Sequence, residues 1–346
     1  MAYKICLLDQ SPIAPDSQPY QALAHTVELA KLAEAAGYHR FWVSEHHGSD
    51  KLAGSSPEVL IAWLLAHTRT LRIGSGGIML QHYSPYKVAE NFQLLAALAP
   101  GRVDLGVGKA PGGLPLSTLA LQQEQHPDSR LGFDEKLRQL TGFLDASRNE
   151  DPRFTSLVAA PQPPQAAEKF LLGASPESAR LAASLGWNFV FAGFINSDRQ
   201  VLAESILTYQ QVKSPENRTL LALSAVAADS REQASALVRE QYNYKVYIGD
   251  NKPLTVGSQQ QAEEFIKQAG AAHSRIDKQP LNILHGTAEY IHQILGEYHQ
   301  QFEIDEFILH TPINETLSRQ RSVQLIGKHH RAEKNRQRAG SETPQV

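Results

Sequence analysis

Residues 71–109 read LRIGSGGIMLQHYSPYKVAENFQLLAALAPGRVDLGVGK. An apolar run at 71–73 passes into the turn Gly74-Ser75-Gly76-Gly77, and Ser84-Pro85 then puts an N-cap side chain before a proline at the first helical position, where the missing N–H costs nothing. A second apolar run follows at 103–107. The stretch reads as strand, turn, helix, strand. Upstream the same order holds. A run at 5–8 is followed by Leu23, Val27 and Ala30 at helical spacing, Gly37 stands at the C′ position, and a strand pattern resumes at 41–43.

Ser56-Pro57 and Ser175-Pro176 mark two more helix starts, and further runs at 170–172, 189–191, 221–226 and 307–309 bring the expected strands to eight. Alternating strands and helices over this length imply a parallel sheet, either open and doubly wound or closed as a TIM (β/α)8 barrel, and the strand count favours closure. Two stretches fit no tidy unit: 111–125 after strand 4 and 242–286 between strands 7 and 8. In a barrel both are insertions on the catalytic face. A single barrel domain is expected over 1–330, with 331–346 as a flexible C-terminal tail.

The chain has 346 residues, 42% hydrophobic and 20% charged, which excludes a largely disordered or fibrous protein. Its formal charge of −3 offers no global field for nucleic acid or an anionic membrane, and a small neutral or weakly charged ligand fits better. Cys6 is the only cysteine, so an intrachain disulfide or a cysteine-rich zinc site is excluded. The run at 5–8 is too short for a signal-peptide core and the run at 59–66 too short for a membrane span. A soluble cytoplasmic protein is expected.

Three constellations can carry chemistry. Glu45-His46-His47 follows the second strand at the end where barrels gather catalytic side chains. Adjacent histidines suggest zinc, but neighbours on an extended chain point apart and no second His-rich motif completes a ligand set. A polar turn, or an imidazole serving as proton donor and acceptor, are the other readings. Gly74-Ser75-Gly76-Gly77 lets the backbone approach a flat ligand or simply turns. Gly106-Val107-Gly108-Lys109 misses the dinucleotide spacing. Ala174-Ser175-Pro176-Glu177-Ser178 offers N–H groups and two hydroxyls at a helix N-terminus, which suits phosphate, although Glu177 opposes an anion and a serine cap needs no ligand.

Taken in order, Leu7-Leu8-Asp9-Gln10-Ser11-Pro12, Phe41-Trp42-Val43-Ser44-Glu45-His46-His47, the stretch 73–80, Pro100-Gly101-Arg102-Val103-Asp104-Leu105-Gly106 and Ala174-Ser175-Pro176-Glu177-Ser178 resemble the bacterial luciferase-like flavin monooxygenases of the non-luminous branch. The resemblance is strong over 3–110, clear over 169–195 and 284–326, and weak between. It implies a TIM-like barrel that binds reduced FMN across its strand ends and reacts it with dioxygen to oxidise a small organic substrate. It further implies an NAD(P)H:flavin reductase as partner and a homodimer through 56–67 and 85–98.

The resemblance makes His46 the active-site residue, with His47 the next candidate. Gly76 and Gly77 match a pair joined by a cis peptide beneath the flavin ring. Ser175 and Ser178 match hydroxyls that hold the flavin phosphate. Gly108 stands where luciferase has a cysteine and Lys109 where it has an arginine, so light emission is not implied. Ala174 replaces an acidic residue, leaving the phosphate to backbone donors, the serines and Lys109. His82 resembles a substrate-facing variant, with a helix-start role as the alternative. Sister groups use the deazaflavin F420 for hydride transfer, and degenerate relatives bind flavin without turnover. These are the competing functions.

Overall fold

The run at 5–8 becomes the centre of β1 (Lys4–Asp9), which leads into α1 (Pro19–Ala36), closed by Gly37 in the left-handed region at φ 87°. The computed structural model describes residues 3–15, 17–126, 130–145, 151–249, 253–271 and 273–341. β2 (Arg40–Val43), α2 (Pro57–His67), β3 (Arg72–Ser75), the short β4 (Ile78–Met79), α3 (Pro85–Leu98) and β5 (Val103–Gly108) complete the first half. Then come α4 (Pro115–Leu121), α5 (Phe133–Leu144), β6 (Glu168–Gly173), α6 (Pro176–Ser184), β7 (Asn188–Ala192), α7 (Arg199–Gln210) and β8 (Thr219–Ala227). α8 (Arg231–Val238), β9 (Tyr242–Ile248), β10 (Leu254–Val256), α9 (Gln259–Ala269), β11 (Ser274–Pro280) and β12 (Ile283–Gly286) fill the long interval. α10 (Ala288–Phe302), β13 (Glu306–His310) and α11 (Thr316–Ser341) end the described chain.

Parallel pairing runs β1-β2-β3-β5-β6-β7-β8-β13, and β13 returns to β1, closing the barrel. All eight expected runs are barrel strands. Each of the three Ser-Pro pairs starts a helix, but only the Ser175 side chain accepts a capping bond. At Ser56 and Ser84 the proline alone marks the start.

Alternation along the strands sends Cys6, Leu8, Trp42, Phe170, Val190, Leu220, Ala222 and Ile308 into the barrel, where they pack as one buried cluster. Beneath them, at the N-terminal end, sits an ion cluster. Arg40, wholly buried, donates to Glu306 (2.7 Å), Asp104 (2.7 Å) and Glu168 (2.8 Å). Burial works to raise the Glu306 carboxyl, but the bonds and charge of Arg40 prevail and hold it at about 2. Removing one member of such a cluster strands a buried charge, at a cost of about 3–5 kcal/mol. The bottom of the barrel is therefore plugged, and only the C-terminal mouth is open to function.

Both expected insertions are present, with more internal order than the sequence suggested. The stretch 111–125 carries α4, and the 242–286 interval forms the antiparallel sheet β10-β9-β11, followed by β12, which pairs with β8 where β7 has ended. The tail expected from 331 begins inside α11, and Arg331 donates to the Ala35 carbonyl at 2.8 Å. Its Arg, Lys, Glu and Ala residues are good helix formers, so a packed helix propagates through them into solvent. Residues 342–346 of that expected tail lie outside the described residues. Among the described residues no helix is long and apolar enough to cross a membrane.

Candidate active site

Past Val43 the chain turns over the barrel mouth and delivers Glu45, His46 and His47 together. Glu45 is buried, and its carboxylate accepts from the Met79 main-chain N–H (2.9 Å), the Tyr83 hydroxyl (2.7 Å) and His47 Nε2 (2.7 Å). Its work is structural: it ties the end of β2 to the segment after β3. His47 is fixed as a consequence, and its main-chain N–H donates to Gly112 O at 2.7 Å.

His46 turns the other way. Its Nδ1 meets Ser44 Oγ at 3.1 Å and its main-chain N–H donates to Gly54 O at 2.8 Å, while Nε2 makes no hydrogen bond among the described residues. Burial, then the neighbouring His47, pushes the ring down to about 4. At neutral pH it is an uncharged imidazole with one nitrogen tied and the other available. Among the described residues no three His, Cys, Asp or Glu side chains are arranged to hold a metal.

The Gly76–Gly77 peptide bond is cis. A Cβ at Gly76 would lie 2.8 Å from Leu8 Cδ1, and one at Gly77 would lie 2.9 Å from Gly106 O, so neither position has room for a side chain. Ser75 fastens this turn to β5, donating to Gly106 O (2.7 Å) and accepting from its N–H (3.0 Å). Gly108 leaves space of a different kind, since a Cβ there would touch only Met79. Strands β3 and β5 thus present main chain, not side chains, at the mouth.

At the head of α6, Ser175 Oγ is 3.4 Å from both the N–H and the Oγ of Ser178. That exceeds the roughly 2.7–3.2 Å of a well-made bond to an N–H, so these donors retain capacity for an anion. Ala174 accepts from Asn196 through its carbonyl at 3.5 Å. Lys109 follows β5 as Ala174 follows β6, and Val107 pairs with Leu171, so Lys109 and Ser175 leave neighbouring strand ends. Lys109 is exposed, with Nζ 5.8 Å from the Phe133 ring.

His82 does not face an open pocket. It is buried, Nε2 donates to Pro111 O (2.7 Å) and Nδ1 accepts from Gln122 Nε2 (2.9 Å), so both nitrogens are spent holding the 111–125 insertion. Lys136 and Gln125 add bonds from the same side to the carbonyls of Gln81, His82 and Tyr83. The insertion is also stitched to the Glu45-His46-His47 turn through Gly112, whose φ of +65° and 2.9 Å clearance from Glu45 O require glycine.

Sequence reasoning missed three features. Gly112 and Gly113, read as part of the 111–125 insertion, form the contact of that stitch with His47. Tyr83 holds Glu45. His310, last residue of β13, stands on the inner face of the barrel above Ile308, and its only signal was one polar residue ending an apolar strand. A further cavity of about 260 Å³ lies where the sheet passes from β7 to β12, lined by Gly193, Leu223, Asn282, His285 and Tyr290 among others. It contains none of the expected site residues.

The family profile described as luciferase-like monooxygenase matches residues 1–302. An N-acetyl-S-alkylcysteine monooxygenase of Bacillus subtilis (strain 168) is 44% identical over 325 residues, covering 93% of this chain and 97% of that protein. The crystal structure of apo-MsnO8 superposes with a TM-score of 0.74 at 29% identity, covering 95% and 98% of the two chains. At 16% and 14% identity, the FMN-complexed oxygenating constituent of 3,6-diketocamphane monooxygenase (TM-score 0.66; 95% and 97% covered) and an F420-dependent secondary alcohol dehydrogenase (0.64; 94% and 98%) share the fold.

Proposed function

The chain belongs to the luciferase-like monooxygenase family, and from that premise we propose that it binds reduced FMN across the barrel mouth and uses dioxygen to oxidise a small thioether, an N-acylated S-alkylcysteine. As a family member it is an oxygen-incorporating oxidoreductase. The flavin and the substrate are the proposal. The thioether comes from the name of the 44% identical relative, which this chain matches along almost its whole length.

The observation that carries the flavin reading is the bare Gly76–Gly77 main chain between β3 and β4, against which a flat ring can lie. The residues fit FMN: Ser175, Ser178 and the first N–H groups of α6 would hold its phosphate, with Lys109 at the next strand end. Bound FMN supplies the oxygen chemistry; the protein supplies binding, orientation and exclusion of water. His46 would offer Nε2 as a neutral hydrogen-bond donor or acceptor to the reacting groups, and Glu45 would keep His47 and the Met79 segment still. The 111–125 insertion, latched by His82, would shield the mouth. A separate reductase would deliver the reduced flavin.

Anaerobic titration of the protein with reduced FMN and with reduced F420 tests the cofactor. Tight binding of FMN with weak binding of F420 is expected, and the reverse order would replace oxygen insertion by hydride transfer.

A further inference from the structure

The eight barrel strands form a ring, and four steps round it separate β3 from β8 and β5 from β13. The glycine-floored half of the mouth therefore faces β8 and β13. Inward alternation continues Leu220 and Ala222 to Ser224, and Ile308 to His310. Register places His310 beside Ser224 on one flank and beside Leu8 on the other. Phe194, just past β7, packs on the interior cluster, with its ring centroid 6.4 Å from that of His310. An aromatic ring, a hydroxyl and an imidazole thus share one wall, opposite the place where a flat cofactor fits.

His310 differs from the other histidines at the mouth. His47 is bound to Glu45, His82 uses both nitrogens, and His46 uses one. The His310 ring makes no hydrogen bond among the described residues. The groups facing it are Asp9 from β1, Arg319 from α11 and His46 from the β2 turn; burial outweighs the carboxylate and pushes the ring down to about 4. Asp9 is itself engaged by the Thr26 hydroxyl (2.6 Å) and lies 3.4 Å from Arg319. A neutral imidazole on the inner face of the barrel mouth, with neither nitrogen engaged among the described residues, offers one donor and one acceptor, the complement of a secondary amide.

We propose that His310 is a specificity residue of the organic substrate, donating a ring N–H to its acyl carbonyl while Phe194 and Ser224 line the same wall. This rests on the thioether reading above, and it assigns the N-acyl group to the β8–β13 side of the mouth. A lost hydrogen bond that leaves a buried carbonyl unpaired weakens binding by about tenfold or more.

Calorimetric titration of N-acetyl-S-methylcysteine into the full-length protein, wild type, His310→Phe and His310→Gln, tests this without turnover. The expected result is a loss of about tenfold or more in His310→Phe and markedly less in His310→Gln, which keeps a donor. FMN affinity and melting temperature should stay at wild-type values in both variants, and S-methylcysteine, which lacks the acyl group, should bind both variants as it binds wild type. Equal affinity of wild type and His310→Phe for the acylated probe would overturn the proposal, as would a wild type that does not bind it. If the probe behaves as expected yet is not oxidised with FMN and oxygen, the flavin reading fails and the assignment of His310 stands.

Discussion

At the scale of single residues, the motif Glu45-His46-His47 divides its labour. Glu45 accepts three hydrogen bonds and holds the turn, His47 is oriented by it through Nε2, and His46 turns the other way, with its Nε2 unbonded among the described residues. His46→Ala should therefore lower oxygenation by about 10²–10⁴ while FMN affinity stays within a few fold. Product yield under saturating substrate checks this, and an unchanged rate would move the role to another side chain. The two serines of α6 make a separate case. Hydrogen bonds to a charged acceptor contribute roughly 1.5–3 kcal/mol each, so Ser175→Ala with Ser178→Ala should weaken FMN by roughly 10²-fold or more. Riboflavin, which lacks the phosphate, should bind the double variant as it binds wild type. Fluorescence titration of both flavins gives the comparison, and equal losses would mean a damaged fold instead of a phosphate site.

Elements raise a different question, namely what docks α10 and α11 on one another and on the chain leading into β1. His292 of α10 receives the Tyr3 hydroxyl at Nδ1 (3.0 Å) and donates from Nε2 to Ile326 O (2.9 Å), and His330 of α11 stacks beside it with no hydrogen-bond partner for either nitrogen among the described residues. Burial pushes His292 down to about 4 and His330 to about 3. An unfolded histidine titrates near 6.5, so below that pH the unfolded chain binds protons that these folded rings refuse. Stability must then fall as pH drops from about 6.5 toward 4, by up to about 1.4 kcal/mol per pH unit for each ring. His330→Phe removes one ring without stranding a partner. Its melting temperature should match or exceed wild type at pH 8 and exceed it clearly at pH 5, and parallel melting curves across that range would contradict the linkage.

Legibility also divides by element. The eight barrel strands are apolar runs buried on both faces, which a sequence displays openly, and proline fixes the helix starts. The insertion 242–286 was opaque because β9 mixes tyrosines with asparagine and lysine and is mostly half buried, while β11 is largely polar and half buried or exposed, so their pattern resembles a loop. The site was legible where residue types are rare in combination, as in Glu45-His46-His47 and Gly76-Gly77. It was illegible where position in space decides. His82 looked available until its two partners were known, and His310 acquires meaning only from the ring of strands.

For the whole molecule, one surface lacks a counterpart. Val59 and Trp63 on α2 and Leu94 and Leu98 on α3 are 72%, 58%, 51% and 71% exposed, a density of large apolar side chains that solvent-facing barrel helices do not need. We propose that these helices pack against their copies in a homodimer. Light scattering at micromolar concentration should give twice the chain mass, and Trp63→Glu with Leu98→Glu should yield a monomer; a monomeric wild type would refute the pairing.

We propose that this barrel uses reduced FMN to place an atom of dioxygen on an organic substrate. Single-turnover reaction of FMN-loaded protein with ¹⁸O₂ and N-acetyl-S-methylcysteine, read by mass spectrometry, tests it most directly. One ¹⁸O atom per turnover is expected in the products derived from the substrate, dependent on both FMN and oxygen. Products free of ¹⁸O, or substrate conversion that proceeds without oxygen using F420, would contradict it.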